Sequence, residues 1–198
     1  ARFDAEVTLL QRSPHILKAF DDDVAGEVEA AFRAEGITVH TGCSLTDARQ
    51  DGNEKVIAFE RDGGQHEVRA EAVFHGLGRS PNIGSLALEN GGVETDNGRI
   101  LCDAHMRTSA PHIFAGGDCA GPHEIVHLAI QQGETAAHNI LHPGGLCSMD
   151  YRMLISVVFT DPQSATVGHT EKTAKAQGIP YLTASYPFSD HGKSIIME

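Results

Sequence analysis

The stretch from Arg107 to Ile140 constrains the fold of this chain more than any other. His112–Ala115 is a short apolar run that predicts one buried parallel strand, and Gly116-Gly117 ends it. Asp118 follows, and Gly121-Pro122 then opens a long amphipathic segment. The pattern predicts a carboxylate just beyond a strand, beside the amino terminus of a helix. Open α/β sheets bind ligands in such crevices, where helix N–H groups face anionic or carbonyl oxygens.

The segment after Pro122 is predicted to be a helix with one apolar face. Glycine and alanine on that face favour close packing against a neighbouring element. The apolar positions at helical spacing are Ile125, Leu128, Ala129, Gly133, Ala136, Ala137 and Ile140.

The same segment contains a literal H-E-x-x-H sequence, the signature of zinc peptidases. In that chemistry the imidazoles, here His123 and His127, bind zinc, and the glutamate, here Glu124, activates water. Pro122 directly precedes the first histidine, which predicts that the motif lies in the first helical turn, where imidazoles are oriented least firmly. Ile130 stands where the longer form of the motif has glycine. We therefore expect no metal here.

Charge and cysteine spacing argue against several classes of function. Lys and Arg total 15 against 27 Asp and Glu, a net charge of −12 without a basic patch, which argues against nucleic acid or an anionic membrane as partner. No apolar run approaches a membrane span, and the amino terminus is no signal peptide. Neither C-x-x-C nor C-x4-C spacing occurs, so reduced thiols in the cytoplasm are expected of Cys43, Cys102, Cys119 and Cys147.

Two patterns precede the central stretch. Glu6–Leu10 and Ile37–Thr41 are predicted strands on either side of a helix that begins near Asp21–Asp23 and ends at Gly36, which makes a βαβ unit. Ala72–His75 is predicted to be a further buried strand. Between them, Asp-Gly-Asn and Asp-Gly-Gly turns predict an antiparallel meander of Ser44–Ala48, Lys55–Glu60 and Gln65–Arg69.

Turn-rich segments mark two predicted domain junctions, at Arg79–Asn82 and at His142–Gly145. Between them we expect a short helix at Leu86–Asn90 and a short strand at Ile100–Cys102. Beyond the second junction the pattern is strand, strand, helix, strand, which predicts an α+β unit. Its elements are Met153–Phe159, Ala165–Gly168, Thr170–Gln177 and Tyr181–Phe188.

Four stretches, in chain order, match the motifs of a single enzyme family: AEAVFHGLGRSPN, GRILCDAHMRTSAPHIFAGGD, the helix entered through EIVHLA, and VVFTDPQSATVGHTEKTAKAQG. They resemble the flavin-dependent pyridine nucleotide–disulfide oxidoreductases, which include dihydrolipoamide dehydrogenase, glutathione reductase and mercuric reductase. The resemblance implies an α/β fold with incomplete Rossmann-like NAD(P)- and FAD-binding domains, followed by the start of an α+β dimerisation domain. Residues 1–77 would be the later part of the NAD(P) domain, 78–143 the return segment of the FAD domain, and 144–198 the first part of the dimerisation domain.

The resemblance also implies roles for residues around the flavin. Asp118 would hydrogen-bond a ribitol hydroxyl of FAD. The helix start at Glu124, Ile125, Val126 and His127 would direct its backbone N–H groups at the pyrimidine edge of the flavin. The positive end of a helix favours the negative charge that develops there when flavin is reduced.

Gln11 stands where NAD-preferring members of the family carry an acid that holds the adenosine ribose hydroxyls. Without that carboxylate a 2′-phosphate is not repelled, and Arg12 can donate a forked pair of hydrogen bonds to it. This favours NADP(H) over NAD(H). The alternative, which stays open, is that Arg12 is only a solvated surface charge. Leu45 and Gly78 resemble two further positions that line the dinucleotide.

The sequence lacks several motifs that the family resemblance implies. No G-x-G-x-x-G occurs, and both phosphate-binding fingerprints and the redox-active C-x4-C pair would be expected before Ala1. The His–Glu acid/base pair would be expected after Glu198. We therefore expect an internal fragment, inactive alone, of a homodimeric enzyme that passes electrons from NAD(P)H through FAD to a disulfide or similar small-molecule acceptor. The alternative is a catalytically silent nucleotide-binding and dimerisation module.

Overall fold

The computed structural model describes residues 1–197, which form an α/β fold of short sheets and two longer helices. Within that range no helix is both long and apolar enough to cross a membrane. The elements are β1 (Thr8–Leu10), α1 (Asp22–Ala34), β2 (Thr38–His40), β3 (Ser44–Asp51), β4 (Glu54–Arg61), β5 (Gly64–Ala70), β6 (Thr95–Asp96), β7 (Arg99–Ile100), α2 (Val126–Leu141), β8 (Ile155–Val158), β9 (Ser164–Val167), α3 (Glu171–Ala176) and α4 (Gly192–Met197), with 3₁₀ turns at Leu88–Gly91 and Phe188–Asp190.

The predicted βαβ unit is confirmed by β1, α1 and β2. Thr8 pairs with Thr38 and Leu9 with Val39 in a parallel sheet, and acids in the first turn of α1 face its positive end. α1 packs its apolar side on this sheet. The core consists of Ile16, Val28 and Val39, with Leu9, Leu17, Phe32 and Ile37 packed around them.

The predicted meander is confirmed by β3, β4 and β5, which pair in antiparallel order. Gly52 and Gly63, with φ of +59° and +74°, occupy the left-handed turn positions that the two hairpins require. Val56 and Phe59 of β4 are buried completely, so the middle strand supplies the hydrophobic core of this sheet.

Three predicted strands do not form. Ala72–His75 has no sheet partner, with Phe74 97% exposed, and Tyr181–Phe188 is likewise unpaired among the described residues. His112–Ala115 makes one antiparallel bridge, Arg107 to Phe114, instead of a parallel strand. Apolar runs predict burial, but a strand also needs a neighbour to take its backbone N–H and C=O groups. Ala72–His75 and Tyr181–Phe188 have no such neighbour among the described residues, and His112–Ala115 pairs through a single bridge.

Helix α2 begins at Val126, later than Pro122 predicts, after an extended Ile125. The placement of the H-E-x-x-H motif in the first turn is therefore wrong for His123 and Glu124, which precede the helix. The predicted apolar face is also wrong in part, since the buried residues are Leu128, Gln132 and Asn139, whereas Gly133, Ala137 and Ile140 are exposed. The two buried amides are hydrogen-bonded to loops, which compensates for their burial.

A second core positions the central stretch. It consists of Val93, Ile100 and Ala110, with Ile83, Leu88, Ile113, Ala115, Cys119 and Ala120 packed around them. The Ile100 N–H donates to the carbonyl of Cys119 at 2.8 Å, so β7 holds the chain just beyond Asp118. This contact fixes the chain after the glycine turn relative to β7.

The region beyond Gly145 forms the antiparallel pair β8–β9 followed by α3, as predicted. Thr170 caps α3 in a reciprocal capping box with Thr173. One face of the β8–β9 pair is apolar and exposed: Ile155 is 45% exposed, Val157 40% and Val167 54%.

Candidate cofactor site

The glycine turn before Asp118 rests directly on α2. Gln132 is fully buried, and its Oε1 accepts the N–H of Gly117 at 2.6 Å. Its Nε2 donates to the hydroxyl of Tyr151 at 2.8 Å, so both ends of the amide are used. A Cβ on Gly121 would lie 2.7 Å from that Nε2 and would displace the side chain. Sequence reasoning missed Gln132, whose signal was a polar residue on an otherwise apolar helix face.

Asp118 lines a concave site of about 300 Å³, and its side chain is 50% exposed. Its carbonyl accepts from Nη1 of Arg99 at 2.7 Å, which fixes the backbone and leaves the carboxylate facing the cavity. Nη1 of Arg79 lies 3.8 Å from that carboxylate. The lining residues are Arg79, Ser80, Pro81, Asn82, Asp118, Cys119 and Glu124.

Glu124 sits at the cavity edge between two arginines. Arg99 donates to Oε1, and Nε of Arg79 donates to Oε2 at 3.1 Å. The hydrogen bond from Arg99, together with the one from Arg79, holds the pKa of the Glu124 carboxyl below its usual range. The carboxylate is thus ionised and paired. Neither arginine was identified from the sequence, although Arg79 lies in the AEAVFHGLGRSPN motif and Arg99 in the GRILCDAHMRTSAPHIFAGGD motif.

The amino terminus of α2 is not capped by any described side chain. The first intrahelical bond runs from the Ala129 N–H to the carbonyl of Ile125 at 3.0 Å. The preceding amides, of Val126, His127 and Leu128, are the free donors of a helix end. A half-exposed carboxylate, a glycine turn and an uncapped helix end form a donor and acceptor set that fits a polyhydroxyl chain attached to a carbonyl-bearing ring.

The two histidines of the H-E-x-x-H motif lie on different local structures. His123 precedes α2 and meets the ring of Tyr151 edge-on at 5.6 Å, whereas His127 is exposed in the first turn. Glu124, which would activate water, is held by arginines instead. Within residues 1–197 no group of three or more His, Cys, Asp or Glu side chains is arranged to hold a metal ion.

Gln11 lies at the end of the parallel sheet, where its backbone is hydrogen-bonded to the chain shortly before Leu45. The Gln11 N–H donates to the carbonyl of His40 at 2.8 Å, and its own carbonyl accepts from Cys43 at 3.0 Å. Leu45 follows in β3 and is 53% exposed. Arg12 is exposed and forms no ion pair with any described residue.

Gly78, the last predicted dinucleotide residue, lies next to the Asp118 cavity in the chain. Its φ of +104° is a left-handed conformation, and the next residue, Arg79, lines the Asp118 cavity. In the described structure no hydrogen bond joins Gly78 to Gln11, Arg12 or Leu45. Gly78 thus directly precedes a residue of the Asp118 cavity in the chain.

Comparison with family models identifies the chain. Residues 1–133 match the model described as pyridine nucleotide-disulphide oxidoreductase, and residues 154–198 match the dimerisation domain of the same group. The chain belongs to the pyridine nucleotide-disulphide oxidoreductase family. The family resemblance drawn from the sequence motifs is confirmed, and the predicted cofactors, FAD with NAD or NADP, are those that this enzyme family uses.

Relatives in this oxidoreductase family cover nearly the whole chain. Dihydrolipoyl dehydrogenase of Mycobacterium tuberculosis is 33% identical over 193 residues, which are 97% of this chain and 42% of that protein. The Geobacillus stearothermophilus enzyme of the same name is 33% identical over all of this chain and 42% of its own length. Mercuric reductase of Staphylococcus aureus is 32% identical over 96% of this chain and 35% of its length. The chain thus spans about two fifths of the relatives that it matches.

Solved structures show the same fold. LpdA from Mycobacterium tuberculosis superposes with a TM-score of 0.86 at 24% identity, over 98% of this chain and 42% of that one. The HOCl-induced flavoprotein disulfide reductase RclA from Escherichia coli gives 0.83 at 23% identity, over 98% and 44%. The incomplete α/β fold predicted from the sequence is that of flavoprotein disulfide reductases.

Proposed function

We propose that this chain is part of an FAD-dependent NAD(P)H oxidoreductase that passes electrons to a disulfide or similar small-molecule acceptor. The observation that carries the proposal is the half-exposed Asp118 carboxylate in a cavity beside the uncapped start of α2. FAD, when bound, would supply the two-electron chemistry that links the nucleotide to the acceptor. The chain itself supplies orientation and charge.

Different residues of the cavity are proposed to bind different parts of the flavin. Asp118 accepts from a ribitol hydroxyl, and Arg99 keeps its backbone in place. The amides of Val126 and His127 donate to the pyrimidine edge, where a preorganised helix end stabilises developing negative charge. Glu124 contributes its backbone position, because both of its carboxylate oxygens are occupied by arginines.

The end of the parallel sheet is proposed to hold the adenosine end of the dinucleotide. Gln11 is hydrogen-bonded there to Cys43, two residues before Leu45, and the exposed Arg12 follows Gln11 directly in the sequence. An exposed arginine without an acidic neighbour suits a 2′-phosphate, which favours NADP(H). Gly78 is assigned to the same cofactor through the family motif, at the connection to the flavin segment.

The proposal extends to a homodimeric assembly and a cytoplasmic location. The exposed apolar face of β8 and β9 suits a second copy of the chain, since such faces are buried in dimers. We assign residues 1–77 to the NAD(P) domain, 78–143 to the FAD domain and 144–198 to the dimerisation domain. All four cysteines are free thiols, which favours a reducing compartment and hence the cytoplasm.

Asp118→Asn in the full-length enzyme tests the flavin assignment. We expect FAD to dissociate at least about tenfold more readily, the effect of losing one charged hydrogen bond. Flavin fluorescence released on dilution measures it. Asp62→Asn is the matched control, because Asp62 occupies an exposed left-handed turn that asparagine also adopts. Equal flavin retention in the two variants would contradict the proposed role of Asp118.

A further inference from the structure

The amino terminus of α3 is capped by a residue from the other end of the chain. Oδ2 of Asp21 accepts the N–H of Glu171 and Oδ1 accepts the N–H of Lys172, both at 2.9 Å across 150 residues or more. Thr170 accepts the third N–H, from Thr173, at 3.2 Å. The three free donors of the first turn are thus satisfied jointly by the two segments.

The contact is reciprocal. Nζ of Lys172 donates to the carbonyl of Phe20 at 2.6 Å and pairs with the carboxylate of Asp22 at 2.6 Å. The hydrogen bond from Lys172 holds the pKa of Asp22 below its usual range. Three consecutive residues, Phe20, Asp21 and Asp22, are therefore each held by the beginning of α3.

Asp21 does not cap its own helix, α1, because its side chain binds α3 instead. It is the N-cap residue of α1, where an aspartate ordinarily accepts a backbone N–H of its own helix. Here its side chain makes no such bond, and Oδ1 of Asp23 accepts from Val24 at 2.8 Å instead. The Asp21 carboxylate is used between domains, not within the helix that it starts.

Asp21 also closes the loop that carries Arg12. This loop, residues 11–20, is held in its middle by α1, because Glu29 accepts the buried N–H of Ile16 at 3.0 Å. Ile16 and Phe20 are each 5% exposed, so the loop packs firmly on its inner side. Its far end is held by α3 through the contacts described above.

We propose that Asp21 is a positioning residue that couples this dinucleotide loop to the dimerisation domain, setting the affinity for the adenosine end of NADP(H) without touching it. The inference rests on the proposed function. Because both contacts of the Asp21 carboxylate lie on α3, the position of the far end of the loop depends on α3. By linkage, a dinucleotide on the loop stabilises the amino terminus of α3 to the same extent.

Asp21→Ala in the full-length FAD-loaded enzyme tests the coupling. We expect the KM for NADPH to rise about 5- to 10-fold while kcat changes less than about twofold, the scale of a modest coupling between sites. Asp23→Ala is the matched control, since Asp23 is exposed on the same turn and bonds only to its neighbour. It should leave both constants unchanged. If the alanine variant fails to fold, Asp21→Asn, which keeps one acceptor oxygen, should give a smaller rise in KM.

Hydrogen exchange provides a second readout on the unmodified enzyme. Saturating NADP⁺ should slow exchange at the amides of Glu171 and Lys172 severalfold, although they lie outside the proposed nucleotide site. A purely structural cap would give exchange rates there that do not respond to nucleotide.

Two results would overturn the inference. One is an unchanged KM for NADPH in a folded Asp21→Ala enzyme, and the other is hydrogen exchange at the Glu171 and Lys172 amides that has the same rate with and without NADP⁺. An enzyme that oxidises neither NADPH nor NADH would instead overturn the proposed function itself. The two failures are therefore distinguishable.

Discussion

Arg12 is the residue on which coenzyme choice is proposed to depend. It is exposed, follows Gln11 at the end of β1, and forms no ion pair with the described residues. In the full-length enzyme kcat/KM should favour NADPH over NADH, and Arg12→Ala should reduce that preference by about 1.5–3 kcal/mol, the strength of a charged hydrogen bond. Lys18→Ala, another exposed cation of the same loop, should leave the ratio alone. A preference for NADH that neither substitution alters would make Arg12 a surface charge.

His40, the last residue of β2, is expected to make the free energy of unfolding depend on pH. Burial, with the positive charges of Arg61 and His66, holds the pKa of His40 below its usual range. Nη1 of Arg61 lies 3.0 Å from Nδ1, which accepts a hydrogen bond only in the neutral ring. The unfolded chain then binds the proton more tightly, so the free energy of unfolding should fall as pH drops below about 6.5.

Urea unfolding between pH 5 and 8 checks this dependence. His40→Gln removes the titrating ring and should flatten the decline below pH 6.5, whereas His75→Gln, at an exposed position, should preserve it. Identical curves for the two variants would show that other groups cause the decline.

Two buried amides, of Gln132 and Asn139, bind helix α2 to the loops beside it. Nδ2 of Asn139 donates to the carbonyls of His105 and Cys147 at 2.9 Å, and its Oδ1 accepts the N–H of Cys147 at 2.7 Å. Asn139→Ala removes three hydrogen bonds and leaves the His105 carbonyl and the Cys147 N–H without their side-chain partner, so the free energy of unfolding should fall by about 2–3 kcal/mol. Gln131→Ala, exposed on the same helix, should change it by less than about 0.5 kcal/mol. Comparable losses in urea titrations would mean that Asn139 is not the anchor.

Element by element, the sequence predicts those parts whose hydrogen bonds are local. The meander and α3 follow from turn glycines and a capping threonine within a few residues of the bonds that they make. The failed strands, such as Ala72–His75, have the right composition but need a distant partner. The predicted start of α2 was wrong because a proline only marks a position where a helix can begin. The extended backbone of Ile125 delays the actual start to Val126.

At the scale of the whole molecule, exposed apolar surface predicts association. Phe74 is 97% exposed and Leu77 73%, and the outer face of β8 adds Ile155 and Val157. Exposed apolar side chains of this kind favour association in water. We expect the 198-residue chain by itself to form dimers or larger species.

The same preparation should be colourless and should not oxidise NADPH. The chain has the proposed ribitol acid, Asp118, and the proposed flavin-facing helix end, but its sequence contains no G-x-G-x-x-G loop for the cofactor phosphates, where much of their charge is neutralised. Light scattering and the visible spectrum measure both properties. A monomer, or one bound yellow chromophore per chain, would show that these residues suffice without further segments.

The sequence alone determined the family, the α/β class, the βαβ and meander units, and Asp118 as the candidate flavin acid, because ordered motifs and short-range periodicity carry that information. Tertiary structure decided the charges around the site: Arg79 reaches Glu124 across 45 residues, and Arg99 reaches it across 25. It also turned Asp21 from a local helix cap into a contact 150 residues away. A side-chain hydrogen bond joins whichever groups the folded backbone brings within about 3 Å, and that proximity is not written in the spacing of residues along the chain.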